Sequence, residues 1–144
     1  MEPVRKQHVI DAPPRLVYDI VTDYENYPSV FPEFKEAIVL DTDGTATIVE
    51  FTVDFGKSVS YTLRIDHDEE ALKTEWTYVG GDLKNSVGGW HFQDNGEGGT
   101  KIDYHVGVEV GFFVPRAISD RLVSRNIPEM FKQLDKAVAA VRSA

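Results

Sequence analysis

The side chains that could do chemistry here are few, and most of them are aromatic. Period-two alternation along the strand-like stretches puts Phe51, Phe55, Tyr61, Trp76, Tyr78, Trp90, Phe92 and Tyr104 on inward faces. Val49, Val53, Val59, Leu63, Ile65, Leu72, Ile102, Val106 and Val108 fall on the same faces, and no charged residue does. The polar atoms this set offers are the hydroxyls of Tyr61, Tyr78 and Tyr104 and the indole N–H groups of Trp76 and Trp90. Such a lining suits an apolar ligand fixed by a few hydrogen bonds. The same residues would also serve as solid core beneath a helix.

Acid–base catalysis needs a positioned histidine or carboxylate. The histidines are His8, His67, His91 and His105. Alternation sends His91 and His105 to the outer face, and His67 lies beside a turn. His8 sits on an early strand whose pattern does not fix its facing. A hairpin symmetric about Glu97 would set His91 opposite Asp103, an exposed cross-strand pair. His91, Asp103 and His105 match no metal-ligand spacing. There is no G-x-S-x-G, P-loop or G-x-G-x-x-G motif. The absence of cysteine excludes disulfides, thiolate chemistry and Cys-based metal sites. We therefore expect no catalytic residue, no metal and no cofactor.

The elements that must position these residues follow from the pattern. A first strand runs from Arg5 to Ile10. Asp11 is expected to cap a helix with Pro13 and Pro14 in its first turn, where a missing N–H does no harm. Leu16, Val17, Ile20 and Val21 follow at helical spacing. Asp23 is expected to cap a second short helix, Tyr24 to about Val30. A second strand, Phe34 to Leu40, ends in the turn Asp41-Thr42-Asp43-Gly44. Strands three and four carry the clearest alternation, Val49 to Phe55 and Val59 to Ile65. The fifth sets Leu72, Trp76 and Tyr78 against Lys73, Glu75 and Thr77. Gly80-Gly81-Asp82 reads as a loop. The sixth runs from Leu83 to Gln93, and Gly88-Gly89 inside it is expected to mark a bulge or bend. The turn Asn95 to Gly99 leads into the seventh, with Ile102, Tyr104, Val106, Val108 and Val110 inward.

A sheet with one apolar face needs a cover. The segment from Pro115 to Val141 is the one element long enough. Its apolar stripe starts at Ile118 and Leu122 and breaks at Arg125 to Glu129. It resumes on a shifted phase at Ile127, Met130, Phe131, Leu134, Val138 and Val141. Pro128 removes a backbone donor at the break, and Asn126 with Glu129 has capping-box spacing. A kinked helix, or two in succession, is expected there. Gly111-Phe112-Phe113-Val114-Pro115 precedes it. Phe112 and Phe113 could plug a cavity mouth or lie buried under the helix.

At 144 residues the chain is expected to form a single domain, residues 1–144, with a full core. The net charge of −9 argues against DNA as a partner. The charge is uneven: residues 115–144 carry +3 and the first 114 carry −12. Arg121, Arg125, Lys132 and Lys136 share one helical face, which with Phe112 and Phe113 would permit transient membrane contact. The N-terminal residues show no signal-peptide h-region, and no run is long enough to span a bilayer. A cytoplasmic protein is the default expectation. The sequence specifies no oligomeric state.

Three stretches carry a resemblance. The first is Asp11-Ala12-Pro13-Pro14 with Val17-Tyr18. The second is Asp23-Tyr24-Glu25-Asn26-Tyr27-Pro28 followed by Phe31-Pro32. The third is Gly89-Trp90-His91-Phe92. With the order of elements, they make the chain similar to the START-like (SRPBCC, helix-grip) superfamily, and within it to the polyketide cyclase and coenzyme Q-binding START group. The resemblance implies an α+β helix-grip fold: a seven-stranded curved antiparallel sheet around a long, kinked C-terminal helix, with two short helices between strands one and two. It also implies a cavity for a lipid, polyprenyl quinone or polyketide-like molecule. Phe51, Phe55, Tyr61, Trp76, Tyr78, Trp90, Phe92, Tyr104, Phe112, Phe113, Ile118 and Leu122 are the expected ligand contacts. The expected function is that of a carrier or chaperone for a hydrophobic small molecule. The alternatives are a small cyclase or dehydratase working in that cavity, and an interaction protein like the ribosome-associated toxins of the superfamily.

Overall fold

A computed structural model describes residues 2–111, 114–121 and 126–143 of the chain. Its strands are β1 (Val4–Ile10), β2 (Phe34–Asp43), β3 (Ala46–Asp54), β4 (Ser58–Asp68), β5 (Lys73–Gly81), β6 (Leu83–Asp94) and β7 (Thr100–Val110). The helices are α1 (Pro14–Val21), α2 (Tyr27–Val30), α3 (Arg116–Asp120) and α4 (Ile127–Ser143), with a 3₁₀ turn at Tyr24–Asn26. All seven strands form one antiparallel sheet in the order β1-β7-β6-β5-β4-β3-β2. β2 to β7 follow one another through short turns, and only β1 reaches across to pair with the last strand.

The period-two pattern produces this sheet because only one face is buried. Val49, Phe51, Val53, Val59, Tyr61, Leu63 and Ile65 are all buried, and within each strand the residues between them are not. The expected register at the last hairpin holds: Trp90 pairs with Tyr104, His91 with Asp103 and Phe92 with Ile102. Asp103, however, takes its hydrogen bond from Gln7 Nε2 on β1, at 2.6 Å.

Several local expectations are corrected. Pro13 occupies the N-cap of α1 with no side-chain cap, so Asp11 lies outside the helix. Its carbonyl instead accepts from Arg142 of α4. Asp23 does hold the cap position of the 3₁₀ turn, but through its backbone carbonyl rather than its side chain. β2 extends to Asp43, past the expected turn, and Gly80 and Gly81 pair with β4 instead of forming a loop. Leu72 precedes β5 in the left-handed conformation (φ 54°), and Thr74 takes the buried inward place. β6 and β7 stay in register through Gly88 and Gly89; the irregularity lies between Leu83 and Asn85. The glycines mark the place where β5 stops pairing with β6, at Trp76 opposite Gly88.

α1 lays Val17, Tyr18 and Val21 on the sheet, with Tyr18 edge-on to Phe92 at 6.1 Å. α4 buries Ile127, Phe131, Leu134 and Val138, spaced by four, three and four residues. Val141 does not continue the stripe; it is half exposed. α3 and α4 are separate helices, α4 beginning just after Asn126, whose carbonyl accepts from Met130 N. The remainder of the expected joint, residues 122–125, lies outside the described residues.

One buried hydrogen bond ties the sheet to the start of α1. Thr100 Oγ1 donates to the Ala12 carbonyl at 2.6 Å, and both residues are fully buried. Thr100→Val preserves shape but strands that carbonyl. It should cost about 1–3 kcal/mol in urea unfolding. A loss under about 0.5 kcal/mol would mean the carbonyl finds another partner.

Candidate ligand-binding cavity

A cavity of about 100 Å³ lies between the sheet and the start of α4. β3 and the residue after it supply Phe51, Val53 and Phe55; β4 supplies Tyr61, Leu63 and Ile65. β5 gives Thr74 and Trp76, β6 gives Leu83, Ser86 and Trp90, and β7 gives Tyr104, Val106 and Val108. Asn126 and Met130 close it from the α4 side, and Tyr24, Tyr27, Phe31 and Phe34 from the segment before β3. Among the described residues, the lining contains no carboxylate, no histidine and no Lys or Arg.

Of the residues nominated from sequence, Phe51, Phe55, Tyr61, Trp76, Trp90 and Tyr104 line this space. Tyr78 does not: its hydroxyl donates to the Leu83 carbonyl at 2.7 Å. Phe92 is also outside it, clamped between Tyr18 and Trp90. Ile118 is buried but not on the cavity wall. Phe112, Phe113 and Leu122 lie outside the described residues. The pattern analysis missed Tyr24, Tyr27, Phe31 and Phe34. Tyr24, Tyr27 and Phe31 are spaced by three and four residues, a helical signal that is weak because the segment is short, and Phe34 opens β2.

Some polar groups on the wall are engaged, while the Thr74 hydroxyl and the Trp90 indole N–H have no hydrogen-bond partner among the described residues. His67 Nδ1–H donates to the Thr45 carbonyl at 2.8 Å, and the Tyr24 hydroxyl is hydrogen-bonded to His67 Nε2 at 2.8 Å. Tyr27 O–H donates to the Val21 carbonyl at 2.6 Å. Trp76 Nε1–H donates to Ser86 Oγ at 3.1 Å. The hydroxyls of Tyr61 and Tyr104 have no hydrogen-bond partner among the described residues, although both side chains are about nine-tenths buried. Burial pushes both phenols above their ordinary pKa, and for Tyr104 the nearby Tyr61 adds to it.

The remaining histidines stay off the wall. His8 stacks on Phe131 at 4.6 Å and donates from Nε2 to Asp135 Oδ1 at 2.8 Å, joining β1 to α4. Phe131 in turn meets Trp90 and Tyr104 edge-on at 6.4 and 6.2 Å. Arg121, expected on an open basic face, folds its guanidinium over Phe55 at 5.3 Å and donates to the Phe55 carbonyl at 3.3 Å. Among the described residues, no group of three or more His, Asp or Glu could hold a metal ion, and no helix is long and apolar enough to cross a membrane.

Residues 10–135 match the family model described as polyketide cyclase/dehydrase and lipid transport. No curated protein matches the sequence. Similar solved structures include TTHA0849 from Thermus thermophilus, 24% identical with a TM-score of 0.85, covering 97% of this chain and 99% of that one. A START superfamily protein from Mycobacterium smegmatis is 22% identical with a TM-score of 0.83, covering 96% and 98%. The Zhui aromatase/cyclase from Streptomyces sp. R1128 is 17% identical with a TM-score of 0.71, covering 96% and 87%. At these identities the likeness is one of fold.

Proposed function

The chain belongs to the polyketide cyclase/dehydrase and lipid transport family, and from that premise we propose that it binds a hydrophobic small molecule between the sheet and α4, as a carrier or chaperone. The whole chain then acts as one START-like domain. The observation that carries this reading is the cavity wall, aromatic and aliphatic and free of charge among its described residues. A cyclase or dehydratase would need an acid or base in reach of the substrate. The titratable groups on this wall are phenols, and burial keeps the two unengaged ones protonated at neutral pH. They can donate hydrogen bonds but cannot remove a proton.

The size of the space limits what fits without movement. An engineered cavity of about 150 Å³ takes one benzene ring. The space here, about 100 Å³, is smaller than that, so even a single ring has to widen it slightly. A longer ligand has to push the start of α4, at Asn126 and Met130, away from β3 and β4.

Native mass spectrometry of the purified protein tests the reading, together with titration by a fluorescent lipid or quinone analogue. A single co-purified neutral adduct, or saturable binding displaced by unlabelled apolar compound, is expected. Failure to bind any apolar compound under any condition tried would overturn it.

A further inference from the structure

Two unengaged phenol hydroxyls bear on what the bound molecule must carry. We propose that Tyr61 and Tyr104 are the specificity-determining pair of the cavity, and that they select a neutral ligand bearing a hydrogen-bond acceptor oxygen, such as a ketone carbonyl. This rests on the carrier reading above.

A hydroxyl enclosed in an apolar pocket without a partner is costly. Tyr61 on β4 and Tyr104 on β7 each bring one to the same cavity wall, where it faces the open space of the pocket. The other phenols of that wall show what normal satisfaction looks like, Tyr24 on His67 and Tyr27 on the Val21 carbonyl. Ser86 already accepts from Trp76, while the Thr74 hydroxyl and the Trp90 indole N–H, like the two phenols, have no hydrogen-bond partner among the described residues. The rings of Tyr61 and Tyr104 are themselves held in place. Tyr61 packs against Phe51 at 5.8 Å, and Tyr104 against Trp90 at 4.4 Å and Trp76 at 6.3 Å. Ordered donors of this kind lose little freedom when an acceptor arrives.

The chemistry of the acceptor follows from the wall. Both phenols remain protonated, so each offers one O–H. A carbonyl oxygen has two lone pairs and could take one bond from each. A carboxylate or phosphate would bring a charge into a lining that holds no counter-charge among its described residues, which opposes burial. A pure hydrocarbon would leave both hydroxyls stranded. A site built to hydrogen-bond an oxygen rejects the analogue that lacks it far better than an apolar pocket rejects an extra methylene.

The test uses a matched pair of single-ring probes, acetophenone and ethylbenzene, followed by NMR titration. The wild type should bind acetophenone about tenfold more tightly than ethylbenzene, the factor one net hydrogen bond supplies. Tyr61→Phe and Tyr104→Phe should each weaken acetophenone roughly threefold to tenfold, and the double variant should erase the preference. Ethylbenzene affinity should stay within about twofold throughout. Thermal unfolding supplies a second readout. Removing a stranded hydroxyl leaves the free protein as stable as before, or more so. Ethylbenzene binding with no preference for acetophenone, or a preference that survives in the double variant, would overturn the inference and leave the carrier reading standing. Destabilisation by either Phe substitution would show that its hydroxyl is engaged in the free protein, which also overturns it. Binding of neither probe would overturn both.

Discussion

Trp90→Ala is expected to destabilise the protein by about 2–3 kcal/mol, less than the 3–5 typical of a large aromatic lost from a packed core. Trp90 is 7% exposed and stacks on Phe92 at 5.6 Å, with Tyr104 at 4.4 Å and Phe131 at 6.4 Å. Those contacts make the loss substantial. The remaining side of the ring borders the cavity, where there are no atoms to lose. The same substitution merges the space left by the indole with the existing cavity, so selectivity should shift toward larger rings. A naphthalene-based dye should gain affinity relative to a benzene-sized probe. Urea unfolding and a dye titration on one preparation measure both quantities. A full core-sized loss, with no apolar ligand bound by the wild type, would sink the carrier reading. The fold would stand, and an interaction protein would become the better reading.

The sheet was readable in the sequence because burial on one face gives every strand the same test. From Val49 to Val53 in β3 and from Val59 to Ile65 in β4 each inward residue is apolar and each outward one polar, so the period survives there without exception. The wall built by those strands was readable for the same reason. Phe92 shows the limit of the method. It shares a face with Trp90, but α1 lies over it, and Tyr18 takes its edge. Alternation reports which face a residue occupies, not what covers that face. The aromatic residues before β3 were hidden for a different reason. Two prolines break their segment into pieces too short for periodicity to register, although Tyr24, Tyr27 and Phe31 fall on one side of it. His8 could not be placed because its partners, Phe131 and Asp135, come from α4 at the other end of the chain.

The glycines of β6 carry no register shift against β7, and Gly88→Ala should expose their role. Glycine inside a strand signals either a bend or a close approach, and the sequence alone does not distinguish them. Here a close approach is present. A Cβ on Gly88 would sit 2.1 Å from Trp76 Cζ2, 2.5 Å from Cη2 and 2.6 Å from the His105 carbonyl oxygen. The six-membered ring of the Trp76 indole therefore lies against Gly88, and its Nε1–H reaches Ser86. In Gly88→Ala the indole must leave, breaking that bond and withdrawing from the cavity wall. The backbone carbonyl of β7 can yield only by distorting the β6–β7 pairing. Overpacking of this kind costs about 1–3 kcal/mol. With the lost hydrogen bond and the displaced indole, a total of roughly 3–4 kcal/mol is expected in urea unfolding. Gly80→Ala is the matched control: a Cβ there meets nothing within 4 Å, and its φ is not positive. It should stay within about 0.5 kcal/mol of the wild type. Adding Trp76→Leu to Gly88→Ala removes the outer ring atoms that clash, so the pair should be less destabilised than the two single changes summed. If Gly88→Ala proves as benign as Gly80→Ala, the indole is not held against β6, and the cavity wall is not built as described.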